Sequence, residues 1–162
     1  RGAARAAGAM RLLVQRVARA AVEVDSCVES RIGPGLVLSL GLGKGDSITG
    51  AAQLAAKVLG LHLFPDLADP EEECRTSVVD AGVEVLVLLQ QTLCATFPRA
   101  VPTLERALSA DEGRPIFEAF VAKLREGYQE EMVVAAPVAA PSLRLEMMCE
   151  GAGVFELGAP VG

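Results

Sequence analysis

The polar residues best placed to do chemistry are Gln90, Gln91 and Thr92. They close an apolar run that opens after Gly82: Val83-Glu84-Val85-Leu86-Val87-Leu88-Leu89. A short, β-prone run bounded by glycine reads as a strand buried on both faces. Rigid scaffolds place functional groups at strand ends and in the loops that follow. Two amides and a hydroxyl arriving there after so much hydrocarbon need hydrogen-bond partners, from a ligand or from neighbouring backbone. The strand end is therefore the candidate site, and a polar end satisfied by its own main chain is the alternative. No Ser-His-Asp or Cys-His set accompanies it.

Other chemistry-bearing residues are weaker candidates. The only histidine, His62, lies in Leu61-His62-Leu63-Phe64 with no nucleophile signature beside it, and reads as structural or exposed. Gly43-Lys44-Gly45-Asp46 resembles a phosphate loop in composition only. It lacks the Gly-Lys-Ser/Thr ending that opens a helix, so it reads as a strand-to-helix turn. Four cysteines (Cys27, Cys74, Cys94, Cys149) stand far apart with no Cys-x-x-Cys pair, so no metal or other cofactor is expected. They read as reduced thiols of an intracellular protein, with Cys27 and Cys149 packed as small hydrophobes. Arg99 and Arg106, in a Pro-containing loop over residues 94–108, have the charge to meet an anion or simply to be solvated.

A chain of 162 residues, 51% hydrophobic, suits one domain with one core. Aromatics are only 4%, so that core must be aliphatic. No apolar run approaches the roughly 20 residues of a membrane span, and a soluble protein is expected. A net charge of -6 argues against broad, sequence-independent binding of nucleic acid, including DNA, although Arg11, Arg16, Arg19 and Arg31 leave the N-terminal third basic. Residues 1–9 contain only Arg, Gly and Ala, and read as a disordered extension or a cloning remnant.

The elements that must position the site follow from periodicity. Strands are expected over residues 11–17, 21–24, 27–32, 36–42 and 61–64, with the central run after them. A helix capped at Ser47 or Asp46 should run to Leu59, and a second should cover residues 115–128, with Pro115 in its first turn. A hairpin of residues 143–149 and 154–157 should close the chain, turning at Glu150-Gly151-Ala152-Gly153. The sum is a mixed α/β domain over residues 10–162: a mostly antiparallel sheet curled into a barrel-like core, with two main helices outside.

The residues Met10-Arg11-Leu12-Leu13-Val14-Gln15-Arg16-Val17, then Ala20-Ala21-Val22-Glu23-Val24, Arg31-Ile32-Gly33-Pro34-Gly35-Leu36 and Gly60-Leu61-His62-Leu63-Phe64, resemble the D-aminoacyl-tRNA deacylases. The resemblance implies a cytoplasmic homodimer that hydrolyses the ester joining a D-amino acid, or glycine, to the 3′ end of tRNA. It implies two signatures meeting at the dimer interface. One is Ser-Gln-x-x-Leu, matched by Leu89-Gln90-Gln91-Thr92-Leu93, with Leu89 where the family has Ser and Gln91 where it has Phe. The other is Asn-x-Gly-Pro-Val-Thr, matched by Cys149-Glu150-Gly151-Ala152-Gly153-Val154, with Ala152 replacing Pro.

By resemblance, Gln90 and Thr92 carry the catalytic role, and Leu89, Gln91, Leu93, Gly151, Ala152 and Phe64 contact substrate. Main-chain amides and the RNA's own 2′-hydroxyl then replace a side-chain nucleophile. A cis bond before alanine costs about 2.5–4 kcal/mol, so Gly151-Ala152 should be trans and the family's chirality filter altered. The alternatives are a binding or structural protein that kept the fold without the reaction and, more distantly, a nucleotide-binding protein using Lys44.

Overall fold

The computed structural model describes residues 10–158; the extension expected over residues 1–9 lies outside them, as do residues 159–162. The spine of the fold is β1 (Arg11–Val24), a single strand where the sequence suggests two. β8 pairs with Arg19 and Ala20, and β2 takes up the other edge at Ala20, so the strand runs through without a break. Along one edge run β2 (Cys27–Ile32) and β3 (Gly35–Gly41), both antiparallel, from Val24↔Cys27 to Arg11↔Gly41. Asp25 and Ser26 make the two-residue turn at φ 50° and 65°, the conformation that matches strand twist in a tight hairpin.

The other edge of β1 takes β8 (Arg144–Gly158), antiparallel from Glu23↔Arg144 to Arg11↔Gly158. β6 (Glu84–Leu89) pairs parallel with β3, and β7 (Val133–Ala135) parallel with β6. The six strands make one mixed, nearly closed, barrel-like sheet. β4 (His62–Phe64) and β5 (Thr76–Ser77) form a separate two-stranded ribbon. Gly35 is where β3 and β6 press closest, since a Cβ there would lie 1.9 Å from the Glu84 carbonyl oxygen.

The central pair is buried on both sides, which explains its continuous hydrocarbon. Leu36, Leu38, Leu40, Val85 and Val87 face the helices, while Val37, Leu86 and Leu88 join Val17, Val22 and Ile32 inside the curl. Helix α1 (Ile48–Leu59) is capped by Ser47, whose hydroxyl accepts from the Gly50 amide at 3.1 Å. A short α2 (Val78–Ala81) leads into β6, and α3 (Ala110–Gly127) packs with α1 over the sheet. Phe120 and Leu124 of α3 are fully buried, each side chain stabilising by about 1.5–3 kcal/mol.

Several expectations are corrected. Helix α3 begins five residues before Pro115, because Ser109 and Glu112 form a reciprocal capping box that satisfies its first turn. Pro115 sits inside the helix. The terminal hairpin is instead one long strand: β1 offers a partner to both halves, and only residues 150–153 are squeezed out. β7 was not legible as a strand. Cys27 and Cys149 are exposed rather than packed: Cys27 directly follows the β1–β2 turn, and Cys149 borders the bulge of residues 150–153.

Candidate active site

At the end of β6 the Gln90 amide donates to the Leu40 carbonyl at 2.7 Å, the last rung tying this strand to β3. The chain then makes one 3₁₀ turn, Gln91–Cys94, in which Leu93 N–H donates to Gln90 O at 3.2 Å and Ala95 N–H to Thr92 O at 3.1 Å. Two features of the neighbouring strands fix this turn. Arg11 Nη1 donates to the Leu93 carbonyl at 3.1 Å. Gly41 leaves room for it: a Cβ there would stand 2.7 Å from Leu93 Cβ and 3.3 Å from Gln90 O.

Within the turn, Gln90 Nε2 donates to Thr92 Oγ1 at 2.6 Å, so the two expected catalytic side chains hold one another. Thr92 is exposed, and with its oxygen already accepting, its hydroxyl hydrogen is left to donate outward. The amides of Gln91 and Thr92 open the turn, and neither donates to a partner among the described residues. The Leu93 amide is committed to Gln90. Gln91, expected to contact substrate, donates from its Nε2 to Leu108 O at 2.7 Å and pins the following loop. Leu89 packs toward α3, with its Cδ2 3.8 Å from where a Gly113 Cβ would be.

The second signature lies on β8. Pairing jumps from Gln15↔Val154 to Val17↔Cys149, so residues 150–153 bulge from the ladder opposite Arg16 alone. Gly151 turns this bulge at φ 57°, a left-handed conformation that favours glycine. Peptide bonds among the described residues are all trans, Gly151-Ala152 included. Arg16 fills the space beneath: a Cβ on Gly153 would lie 2.8 Å from Arg16 Cβ, and one on Gly151 would lie 3.4 Å from its Nη2. Arg16 is itself buried, with Nη1 donating to Leu63 O at 2.8 Å. Phe64, expected to contact substrate, is only 8% exposed and packs in the core beside this anchor.

Nearby charge is arranged for structure. Asp46 accepts from Met10 N–H at 3.0 Å and Gly43 N–H at 2.6 Å. A carboxylate of this chain thus occupies an amide that a bound phosphate would need, which removes the phosphate-loop reading. Burial pushes the Asp46 pKa up, and those two backbone hydrogen bonds oppose the rise. Burial also pushes the Cys94 thiol up, with Asp46 adding to it, so the thiolate is disfavoured beside the turn. Among the described residues no group of three His, Cys, Asp or Glu side chains is placed to share a metal ion.

The first signature sits at the Arg11 end of β1 and the second over Arg16. Five strand positions separate these anchors, roughly 16 Å at the usual rise. Arg11, Arg16 and Gly41 are the residues that sequence reasoning missed as parts of the site. The only available signal was the N-terminal basic bias, and nothing in it said that two of those guanidiniums serve backbone carbonyls.

The fold and turn define a mixed α/β, barrel-like domain that offers main-chain amides and a Gln–Thr pair at a strand end. Its sequence matches the D-Tyr-tRNA(Tyr) deacylase family over residues 13–151, and the chain belongs to that family. It is 35% identical to a D-aminoacyl-tRNA deacylase of Klebsiella pneumoniae (strain 342) over 146 residues, covering 90% of this chain and 97% of the relative. It is 37% identical to one of Heliobacterium modesticaldum, covering 89% and 98%. Among solved structures, a c-Myc DNA unwinding element binding protein superposes with a TM-score of 0.86 at 26% identity, over 93% of this chain and 99% of that one. A probable eukaryotic D-amino acid tRNA deacylase superposes at 0.73 with 13% identity, a likeness of fold alone.

Proposed function

We infer that this protein is a proofreading hydrolase that cleaves the ester between a D-amino acid, or glycine, and the 3′ end of tRNA. Its membership of the deacylase family along almost the whole domain carries this conclusion. In the reaction, water adds to the ester carbonyl, the oxyanion collapses, and the bond to the 3′ oxygen breaks. The proton reaches the leaving oxygen by way of the adjacent 2′-hydroxyl, giving free amino acid and tRNA.

The residues share that work as follows. Thr92, held by Gln90, donates to a substrate oxygen, and the carbonyl oxygen of Gln90 accepts from the substrate amine. The unpaired amides of Gln91 and Thr92 meet the developing oxyanion, and their fixed position spares reorganisation at the moment of reaction. Arg11 and Gly41 hold the turn in place.

The protein works as a homodimer. The β1 residues that touch the two signatures, Arg11 and Arg16, stand five positions apart, which favours a pocket completed by Gly151 and Ala152 of the partner subunit. β8 suits such an interface: it is a long edge strand whose Met148 and Val154 are exposed. No helix among the described residues is long and apolar enough to cross a membrane, and the cytoplasm, where translation occurs, is the expected compartment.

The test is hydrolysis of D-Tyr-tRNA, Gly-tRNA and L-Tyr-tRNA side by side. Turnover of the D-Tyr and glycyl esters is expected, and the L-Tyr ester reports whether the Gly151-Ala152 bulge still rejects an L side chain. No cleavage of any ester at stoichiometric enzyme would overturn the assignment.

A further inference from the structure

Directly after the Gln91–Cys94 turn, residues 96–103 leave the domain as a small hairpin. Thr96 and Thr103 exchange both backbone hydrogen bonds, at 3.0 and 2.8 Å, which fixes its base. A second bridge, Gly43 to Ala107, ties the returning chain to the end of β3. There the Lys44 amide donates to Arg106 O and the Leu108 amide to Leu42 O, both at 2.9 Å. The long loop expected to be structureless is thus a held platform.

What this platform displays is unusual. Phe97 is 67% exposed, Val101 70% and Leu104 44%, so three of the eight exposed large hydrophobics among the described residues fall between positions 97 and 104. Contiguous exposed apolar surface marks an interaction site more often than a scattered residue does. Cations are interleaved with it: Arg99 and Arg106 on the loop, both exposed, and exposed Lys44, brought alongside by its bond to Arg106 O. Of the carboxylates at this end, Glu105 is exposed on the loop, Glu112 keeps its charge near Lys44 while accepting from the Ser109 cap, Asp46 accepts from two backbone amides, and Asp111 is exposed beside Arg114. The loop over residues 94–108 itself carries Arg99 and Arg106 against Glu105 alone, a net charge of +1 in a chain of net charge -6.

An aromatic face set among Lys and Arg is the combination that binds single-stranded nucleic acid, the ring stacking on a base and the cations tracking the backbone. We propose that this loop is the docking platform for the single-stranded 3′ end of the RNA substrate. Phe97 stacks on a base, while Arg99, Arg106 and Lys44 face its phosphates. Phe97 is five residues from Thr92, at most roughly 17 Å along the chain. An ester held at the turn therefore leaves its preceding nucleotides within reach. The location of that ester rests on the deacylase assignment. A second copy of the chain is a poorer occupant, because a two-fold contact through this patch would set its cations against one another.

The probe is a short, labelled single-stranded RNA ending in CCA, titrated with the full chain by fluorescence anisotropy. Phe97→Ala should weaken binding roughly tenfold, the worth of one stacked base, while Phe97→Trp retains it. Combined Arg99→Ala and Arg106→Ala should flatten the dependence of log K on log salt by about 1.4, two phosphate contacts on a single strand. Melting temperature and sedimentation should not change in any variant. The platform is overturned if wild type fails to bind the RNA or Phe97→Ala binds like wild type. It is equally overturned if the loss of affinity accompanies a shift in oligomeric state. Phe97-dependent binding by a protein that cleaves no ester would sink the deacylase assignment and leave the platform standing. Ester cleavage with KM unchanged in Phe97→Ala would do the reverse.

Discussion

Replacing Gly41 by alanine tests whether the turn at the end of β6 must sit where it does. The new methyl would lie 2.7 Å from Leu93 Cβ, 3.3 Å from Gln90 O and 3.4 Å from Cys94 Sγ. Carbon atoms prefer about 3.5–4.0 Å, so the turn must retreat by about 1 Å. Leu93 Cβ and Gln90 O are fixed by the main chain, so no rotamer change relieves the clash. Overpacking of this kind costs about 1–3 kcal/mol, roughly 2–12 °C in melting temperature for a chain of this size. Displacing positioning groups by 1 Å costs about 100-fold in rate. The variant should therefore fold, melt somewhat lower, and lose about 100-fold in kcat/KM on D-Tyr-tRNA.

Gly127→Ala is the matched control. Its methyl also lies 2.7 Å from a carbon, but that carbon is Leu59 Cδ1, the tip of a flexible side chain at the far end of α3. Activity should be unchanged. A folded Gly41→Ala protein with wild-type kcat/KM, or an equal loss in Gly127→Ala, would refute the reasoning.

Gly35→Ala should yield no folded protein by circular dichroism, because the intruding methyl meets the Glu84 carbonyl at 1.9 Å and the β3–β6 pair cannot form around it. Arg16→Met keeps the aliphatic bulk under the residue 150–153 bulge but strips the Leu63 carbonyl of its charged donor. The cost is about 1.5–3 kcal/mol, read as a drop of roughly 3–12 °C in melting temperature. Backbone and hydroxyl hydrogen bonds from Ser109 hold the exposed Glu112 carboxyl below its ordinary 4.5. A depressed carboxyl stabilises the fold above its unfolded-state pKa and ceases to do so as pH falls through its folded value. Ser109→Ala should therefore lower the melting temperature at pH 7, and the difference should shrink as pH falls below about 4.5.

Local periodicity alone was enough to find β2 to β4, the two ends of β1, the Ser47-capped helix and the buried central run. Each is a short-range pattern of side chains that a strand or helix must put on one face. The candidate turn was legible for the same reason, since polar residues after a buried strand stand out. What Gln91 does there was not, because the Leu108 carbonyl it bonds comes from a loop 17 positions away. The terminal hairpin looked equally well specified, with alternating residues on either side of Gly151 and Gly153. It became one strand because β1, more than a hundred residues earlier, supplies an edge long enough to pair both halves.

Sequence by itself determined the class of fold, the family and the strand end that carries the polar groups, because these rest on local pattern and residue identity. Tertiary structure alone decided that Arg11 and Arg16 serve carbonyls of Leu93 and Leu63, that Gly41 makes room for the turn, and that the second signature is a bulge over Arg16. Each of those is a contact between segments far apart in the chain. No spacing encodes it; it exists only once the sheet has brought the partners together.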